Sequence, residues 1–520
     1  MSSITIKRVI YACCPSVLKP TLARIEASEI GYRFAKGSFW SMAGAVISRG
    51  LMLVASILVA RMLGKTGFGE LGMIQSTVGM FGVFAGFGLG LTATKHVAEF
   101  RRSDPERTGR IIGLSEMVAM ATGGLMSISL FVFAPWLAAH TINAPHLAGV
   151  LRIGAVILFL SALNGAQTGA LSGFEAFKTI AYVNLFVGLM SFPILVGGVY
   201  FGGLTGAVWA LVLNLGINWL LNHLALRREA RRFGIPFTFK ACGREWPILW
   251  KFSLPAVLAG TIGGPVLWAS NAILANRPDG YAEIGVYNAV LRFKQAPEMV
   301  LIMLMAPLLP MLSECFGKGD TRSYNKMLSN AFTLSFCIIV PVSLIQTAVP
   351  ALTLLPYGRE FQGHANVVQW LMLHAVLVGL FQPFGSVLAS MNRMWFAVAY
   401  NVAWGIAFVA LTLLLVPRYG AAGLAAASAL AHLITSLSCV AYIYHYEKAF
   451  IVDTPFVFYA ISVLLSFGIC ITASHLVPPL MAGGIGCATV SALVIIIMHL
   501  MKVRRVRTAN IIPTETLTGK

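Results

Sequence analysis

Long apolar stretches recur along the whole chain and set the strongest constraint on its fold. The first, residues 38–60, reads SFWSMAGAVISRGLMLVASILVA and contains one charged residue, Arg49. A helix that crosses a bilayer core needs about 20 such residues, whereas a buried strand has about 4–8. Only 11% of the residues are charged, where soluble domains have about 25%. The sequence therefore predicts an all-α integral membrane protein.

Basic residues orient the predicted helices. Most of the 38 Lys and Arg residues fall on one side, including the run RREARR at 227–232 and the run KVRRVR at 502–507. Because cytoplasmic loops are rich in Lys and Arg, both termini are predicted to be cytoplasmic. The fourteen predicted spans are 38–60, 71–94, 111–135, 147–170, 180–201, 204–225, 249–275, 284–310, 327–350, 366–390, 395–416, 420–444, 453–473 and 479–501.

Other classes of protein fit this sequence poorly. The net charge of +19 does not indicate nucleic-acid binding, because the basic residues flank apolar runs instead of clustering on polar segments. The eight cysteines show no C-x-x-C spacing, so neither a metal site nor a disulfide framework is expected. The N-terminus is basic and lacks the apolar core of a cleaved signal peptide, so we expect a cytoplasmic arm.

Two halves of the chain are related by a weak repeat. Arg61 corresponds to Arg277 and Gly69 to Gly285, both at an offset of 216 positions, and Gly203 corresponds to Gly420 at an offset of 217. An even number of helices in each half gives both halves the same orientation in the membrane, which transporters use to build a central cavity.

The repeat predicts two six-helix lobes with pseudo-two-fold symmetry and two extra helices. The predicted boundaries are a basic cytoplasmic arm at 1–37, an N-terminal lobe at 38–225, a basic cytoplasmic linker at 226–248, a C-terminal lobe at 249–444, two additional helices at 445–501 and a basic tail at 502–520.

The first span closes with the pattern A-R-x-L-G-x-x-x-F-G at Ala60–Gly69. With fourteen spans and two related halves, the chain resembles the polysaccharide transporter family, the flippases of O-antigen and exopolysaccharide repeat units. This family is grouped with multidrug extruders and lipid II flippases. The resemblance implies movement of an undecaprenyl-pyrophosphate-linked oligosaccharide from the cytoplasmic to the periplasmic leaflet of the bacterial inner membrane, with no catalytic residues. It also implies a polysaccharide polymerase and a chain-length regulator as partners.

Cations inside the spans are candidates for binding such an anionic cargo. Arg49 lies midway along the first span, where an arginine costs about 2.5–3.5 kcal/mol. It either contacts cargo or pairs with Glu116. In the eighth span, Arg292 has no acid three or four positions away, whereas Lys294 can pair with Glu298. Arg292 is therefore the stronger candidate of these two.

Other candidates lie at the ends of spans and along the sixth span. Arg61 and Arg277 lie at the external ends of the first and seventh spans, where they either hold phosphate or reach toward the interface. Asn214, Asn218 and Asn222 recur every four residues and so share one helix face. Their carboxamides suit sugar hydroxyls, or they join helices by hydrogen bonds.

Three alternative functions remain open at this stage. A multidrug antiporter is disfavoured because intramembrane acids are scarce, chiefly Glu116 and Glu298. A lipid II flippase would share the anionic cargo. A membrane-embedded enzyme is disfavoured because the longest loops are short and basic. No cofactor is expected, and coupling to protons or Na⁺ is left undecided.

Overall fold

The computed structural model describes residues 29–86, 88–236, 239, 242–248, 261–305, 307–391, 393–446 and 455–510. Throughout these ranges the ordered elements are helices, without a β-strand. Lipid offers the backbone no hydrogen bonds, and a helix satisfies its N–H and C=O groups within one segment. The all-α prediction is confirmed.

The described part of the chain contains thirteen main helices. The first part of the chain forms α1 (Glu29–Gly86), α2 (Leu89–Phe100), α3 (Pro105–Trp136), α4 (Ala148–Gly173) and α5 (Phe177–Arg232). The second part forms α6 (Gly263–Ala275), α7 (Gly280–Met305), α8 (Leu308–Gly317), α9 (Thr321–Ala348), α10 (Ala365–Ser390) and α11 (Met394–Tyr446). The chain ends with α12 (Pro455–Leu476) and α13 (Pro479–Asn510). We call α1–α5 the N-terminal lobe and α6–α11 the C-terminal lobe.

Three of these helices are broken at a glycine. The breaks are at Gly64 (φ 68°, ψ 175°), Gly203 (φ 53°, ψ −133°) and Gly420 (φ 56°, ψ −131°). Positive φ angles are accessible to glycine at little steric cost because it has no Cβ. By the alternating direction of the helices, all three breaks lie at the same end of the bundle. We call this the outer end and the opposite one the inner end.

The breaks account for the number of long helices. Eight described stretches are long and apolar enough to cross a membrane, and three of them contain the breaks. Each of those three covers two predicted spans. Shorter apolar helices at Ile461–Leu476 and Pro479–Val494 occupy the last two predicted positions. The count of fourteen crossings stays a prediction.

Some predicted boundaries differ from the helix ends. α1 begins at Glu29, before the predicted end of the basic arm at residue 37, and α13 continues to Asn510, into the predicted basic tail. Charged residues at helix ends extend into water, where a helix can continue beyond the apolar core. Residues 1–28, 249–260 and 511–520 of the predicted arm, C-terminal lobe and tail lie outside the described chain.

The repeat is visible in the hairpins at the outer end. A Cβ atom built on Gly206 would collide with the Gly198 carbonyl oxygen, and one on Gly423 would lie 2.5 Å from the Leu415 carbonyl oxygen. These two pairs are offset by 217 positions, and the breaks between their members, Gly203 and Gly420, have nearly equal φ and ψ angles. Both lobes therefore make the same tight hairpin.

A second pair of related contacts joins the two lobes. A Cβ on Gly69 would collide with the Tyr281 carbonyl oxygen, and a Cβ on Gly285 would collide with the Lys65 carbonyl oxygen. Each contact is the other's counterpart at the offset of 216 positions. These two reciprocal contacts place the pseudo-two-fold axis between α1 and α7. Because glycine has no side chain, the two backbones can touch at Gly69 and Gly285.

Helix caps at the inner end repeat as well. The Asp104 carboxylate accepts a hydrogen bond from the Arg107 backbone N–H at 2.9 Å and so begins α3. Asp320, at an offset of 216 positions, accepts one from the Ser323 N–H at 2.9 Å and begins α9. Such caps satisfy backbone N–H groups that a first helical turn leaves without a partner.

We expect Gly69→Ala to destabilise the protein by about 1–3 kcal/mol, because the new methyl group meets backbone atoms that have no rotamer to escape to. Thermal unfolding of the detergent-purified protein measures this. The matched control is Gly124→Ala in α3, where no atom lies within 4 Å of the added Cβ. Alanine is favoured over glycine in helices, so equal or higher stability of Gly69→Ala would contradict the close crossing.

Candidate functional site

A row of polar side chains crosses between the two lobes below the glycine crossing. We call it the central seam. On α1, α6 and α7 it comprises Gln75, Ser76, Thr77, Trp268, Asn271, Asn288 and Arg292. On α7, Gly285, Asn288 and Arg292 are spaced by three and four residues, so they share the helix face that is turned toward α1. The seam therefore follows directly from the register that the glycine crossing fixes.

Hydrogen bonds in the seam connect the lobes. The Asn271 amide donates to the Ser76 hydroxyl at 3.0 Å, and the Trp268 indole N–H donates to the Thr77 hydroxyl at 3.1 Å. A Cβ on Gly72 would collide with the Asn288 carboxamide. Each of these groups is one that a sugar hydroxyl can also use, as a donor or as an acceptor.

Arg292 lies at the deep end of the seam. Its Nη2 atom donates to the Gln75 carboxamide oxygen at 2.9 Å, and the side chain is half-buried. Arg292 is about 18 Å along α7 from Gly280, at the rise of about 1.5 Å per residue. The guanidinium therefore lies between the lobes at mid-depth, as an arginine that faces protein inside a membrane should.

Lys294 points away from the seam. Two residues along a helix turn the side chain by about 200°, so Lys294 faces the interior of its own lobe. Its ammonium lies 2.8 Å from the Glu298 carboxylate, and only 7% of its side chain is exposed. The ion pair between Lys294 and Glu298 that the sequence allowed is present. Lys294 and Arg292 are two residues apart but have different partners.

The predicted arginines at the outer end make different contacts. Arg61 donates from Nε to the Pro356 carbonyl oxygen at 2.6 Å and is exposed. Arg277 lies 3.7 Å from Glu283, whose carboxylate also accepts from the Ala421 backbone N–H at 2.7 Å. Glu283 thereby caps the half of α11 that follows the break. Both arginines thus help to hold the outer end together.

Aromatic rings close the outer end beside Arg61. Phe68 lies 6.1 Å from Tyr357 and 6.4 Å from Phe361, between ring centroids. Phe293 lies 6.0 Å from Tyr357. Tyr357 and Phe361 belong to the short helical turns between α9 and α10, whereas Phe68 belongs to α1. A segment of the C-terminal lobe therefore packs on the N-terminal lobe next to the break at Gly64.

The asparagines of α5 meet a polar group on α4. Asn222 is buried, and its amide donates to Asn164 at 3.2 Å, Thr168 at 3.4 Å and Asn218 at 3.0 Å. Asn214 lies two helical turns from Asn222 toward the outer end. It makes no side-chain hydrogen bond with the part of the chain that the structure describes. Asn222 therefore joins helices, and Asn214 and Asn218 keep hydrogen-bonding capacity.

Glu116 belongs to the same lobe. It is buried, and its carboxylate lies 4.0 Å from the Nδ1 atom of His223. The pairing of Glu116 with Arg49 that the sequence allowed cannot be placed, because the Arg49 side chain lies outside the described residues. Arg49 itself lies within α1, where its role in binding cargo stays a prediction.

The sequence predictions missed most of the seam. Gln75, Trp268, Asn271 and Asn288 are common residue types on amphipathic faces, and none is charged. The signal that identifies Gln75 and Asn288 is their position within two turns of Gly69 and Gly285, on the faces that those glycines bring together; Trp268 and Asn271 lie on α6 and have no such signal. Reading the glycine repeat as a contact between helices, and not only as a repeat, would have found them.

The fold and the seam define a class: a multi-pass membrane transporter built from two related helical lobes. The solved structure of the lipid II flippase MurJ in an inward closed conformation has a TM-score of 0.68 at 14% identity and covers 89% of this chain and 99% of that one. At this identity the likeness concerns the fold alone.

The sequence comparisons identify the family. Residues 34–316 match the polysaccharide biosynthesis protein family, and the chain belongs to it. The chain is 23% identical over 415 residues to the lipid III flippase of Escherichia coli K12, covering 78% of this chain and 97% of that protein. It is also 23% identical over 398 residues to the EPS I polysaccharide export inner membrane protein EpsE of Ralstonia nicotianae, covering 75% and 87%. The resemblance predicted from the sequence is confirmed.

We expect Asn222→Ala to lower the stability of the protein by about 1–2 kcal/mol, since it leaves buried acceptors on α4 without their donor. Asn214→Ala, in the same helix and on the same face, serves as the control and should leave the thermal unfolding temperature almost unchanged. Equal destabilisation by the two substitutions would mean that the amide contacts of Asn222 contribute little.

Proposed function

We propose that the protein is a flippase that moves an undecaprenyl-pyrophosphate-linked oligosaccharide from the cytoplasmic to the periplasmic leaflet of the bacterial inner membrane. The observation that carries the proposal is the central seam, a row of sugar-compatible side chains that ends at Arg292 between the lobes. The names of the relatives, a lipid III flippase and a polysaccharide export protein, support it.

The chemistry of the seam matches both parts of such a cargo. A guanidinium presents a planar fork of donors that suits pyrophosphate oxygens, and it remains charged at any cellular pH. The amides of Asn271 and Asn288 suit sugar hydroxyls. The Trp268 indole offers an apolar ring face against which the apolar face of a sugar can pack. Separating the lobes would free these groups for the cargo.

The positions of the cross-lobe contacts support alternating access. The contacts described above run from Arg61 and the glycine crossing at the outer end to Gln75 and Arg292 at mid-depth. α6 and α1 also meet nearer the inner end, where a Cβ on Gly264 would lie 2.7 Å from the Val83 side chain, so this contact has to separate before cargo enters from that end. We propose that the inner end is cytoplasmic, as the basic residues predict, and that the lobes then rock about the pseudo-two-fold axis to open the outer end.

Arg49, Arg61, Arg277, Asn214 and Asn218 extend the proposed path beyond the seam. Asn218 lies on the α5 face that meets α4, and Arg61 and Arg277 lie at the proposed exit. Lys294 is excluded from direct contact in this conformation by its ion pair and burial. A polymerase and a chain-length regulator would receive the cargo after it leaves the outer end.

A multidrug antiporter is the weaker proposal. A site for cationic drugs should be acidic, whereas the seam ends in an arginine. The intramembrane carboxylate of Glu298 is already paired with Lys294. A lipid II flippase differs only in cargo and is separated by the choice of substrate in the experiment below.

Reconstituted protein should move a labelled undecaprenyl-pyrophosphate oligosaccharide across liposome membranes. We expect Arg292→Ala to slow this movement by about tenfold or more, because charge-assisted hydrogen bonds contribute about 1.5–3 kcal/mol each. Arg49→Ala is expected to slow it in the same assay. The measurement is the rate at which labelled cargo becomes accessible to a quencher added outside.

Gln75→Ala is the matched control for Arg292→Ala. It removes the same hydrogen bond between the lobes but leaves the cation in place, so it should lose less activity than Arg292→Ala. Equal loss in the two variants would assign the effect to the contact and not to the charge. Movement of lipid II but not of the oligosaccharide lipid, or efflux of a cationic dye alone, would contradict the proposed cargo.

A further inference from the structure

Two histidines meet inside the C-terminal lobe. His374 of α10 and His432 of α11 have ring centroids 5.5 Å apart, with the ring planes at 75°. Both side chains are half-buried. The Nδ1 atom of His374 and the Nε2 atom of His432 are buried and have no hydrogen-bond partner among the described residues. A buried imidazole nitrogen without a partner is unusual, because buried polar atoms in proteins are normally satisfied.

The ion pair of α7 faces these rings. The charge of Lys294 interacts electrostatically with both His374 and His432. Lys294 is in turn bound to Glu298 at 2.8 Å. Three helices, α7, α10 and α11, therefore bring two imidazoles and an ammonium together, and the ammonium is paired with a carboxylate of its own helix. We call these four residues the histidine cluster.

Tyrosines of α7 and α9 also contact α11 and α10. Tyr287 of α7 interacts with Ser428 of α11 and with the charge of Glu298. Tyr324 of α9 forms a hydrogen bond of 3.0 Å with Ser390 of α10. Phenols stay protonated at cellular pH. The histidines are the groups of the cluster whose ordinary titration range includes it.

We propose that the histidine cluster is a proton-binding site that couples proton movement to the transport of cargo; this inference rests on the proposed function. A proton that arrives from the outer side forms an N–H bond with a free ring nitrogen. The resulting imidazolium carries the charge through the change of access and releases the proton to the inner side. One proton then moves inward as one cargo moves outward.

The cluster can transmit its charge to the central seam through α7. A proton on either histidine repels the Lys294 ammonium, so it opposes the ion pair between Lys294 and Glu298. Pro297 lies between these residues within α7 and removes a backbone hydrogen bond of the helix. Because Arg292 is two residues from Lys294 on the same helix, bending at Pro297 changes how α7 lies against α1.

The histidine cluster has no counterpart in the N-terminal lobe. At an offset of 216 positions, Val78 corresponds to Lys294 and Leu158 to His374, and at the offset of 217 that relates Gly203 to Gly420, Leu215 corresponds to His432. None of these residues can bind a proton. The structural repeat therefore gives both lobes the same helices but different titratable groups: the histidine pair lies in the C-terminal lobe, and Glu116 and His223 lie 4.0 Å apart in the N-terminal lobe.

Transport in proteoliposomes tests the coupling. An acidic solution on the outer side should accelerate cargo movement by the wild-type protein several-fold relative to equal pH on both sides. His374→Gln and His432→Gln keep a polar side chain of similar length but bind no proton. We expect both to lose the acceleration and to keep the basal rate. His140→Gln, an exposed histidine of the N-terminal lobe, is the control and should retain the acceleration.

A second measurement does not depend on cargo. In liposomes containing protein labelled with ¹⁵N-histidine, solid-state NMR signals that disappear in His374→Gln and His432→Gln belong to the pair. We expect each signal to report uptake of a proton as the pH is lowered, and replacement of one histidine should shift the titration of the other. Two signals that titrate independently, or that do not titrate, would overturn the proton site.

The two proposals fail in different ways. Cargo movement that is indifferent to the pH gradient would overturn the proton site and leave the flippase proposal standing. A wild-type protein that moves no oligosaccharide lipid under any gradient would contradict the flippase proposal, whereas the NMR titration would still decide whether the histidines bind a shared proton.

Discussion

The contact between the backbones of α1 and α7 is the interaction on which the rest of the structure depends. Lipid is as apolar as a leucine side chain, so burial of apolar surface does not by itself press two membrane helices together. Gly69 and Gly285 instead allow the helices to approach until backbone atoms touch. This approach fixes the register of the two helices. The register in turn determines which polar side chains of the lobes face one another.

Arg292 illustrates that dependence. From Gly285, two turns along α7 lead to Arg292, and from Gly69 fewer than two turns along α1 lead to Gln75. Those residues meet at 2.9 Å because the helices cross at the glycines. A shift of one residue in α7 would turn Arg292 by about 100° away from α1. The position of a cation inside the membrane is thus decided by two residues that have no side chain.

Much of the fold followed from the sequence, because the length of an apolar run is set by the bilayer and not by its neighbours. The repeat was also visible, since Gly203 and Gly420 keep the same backbone conformation. The site was harder to predict. Hydrogen bonds such as Trp268 to Thr77 join residues 191 positions apart, and no local pattern encodes such a distance. A charged residue within an apolar span is conspicuous in the sequence, whereas the neutral residues that contact it are not.

Lys294 and His374 show a second reason for the difference. Along the sequence, Lys294 is a cation beside Arg292 and His374 is an isolated histidine of α10. Helical geometry separates the first pair onto opposite faces, and packing of α10 against α11 places His432 beside His374. Arg292 and Lys294 are neighbours in sequence but belong to different sites, whereas His374 and His432 are distant in sequence but lie side by side.

The two lobes share a backbone arrangement but differ in the polar side chains of their interiors. Their hairpins, crossing glycines and helix caps repeat at offsets of 216 and 217 positions. The polar interior of the N-terminal lobe holds the amides around Asn222 together with Glu116 and His223, whereas that of the C-terminal lobe holds the Lys294–Glu298 ion pair and two histidines. A symmetric scaffold lets two lobes rock about one axis. In the proposed rocking motion, different chemistry in the two lobes gives the two end states different free energies.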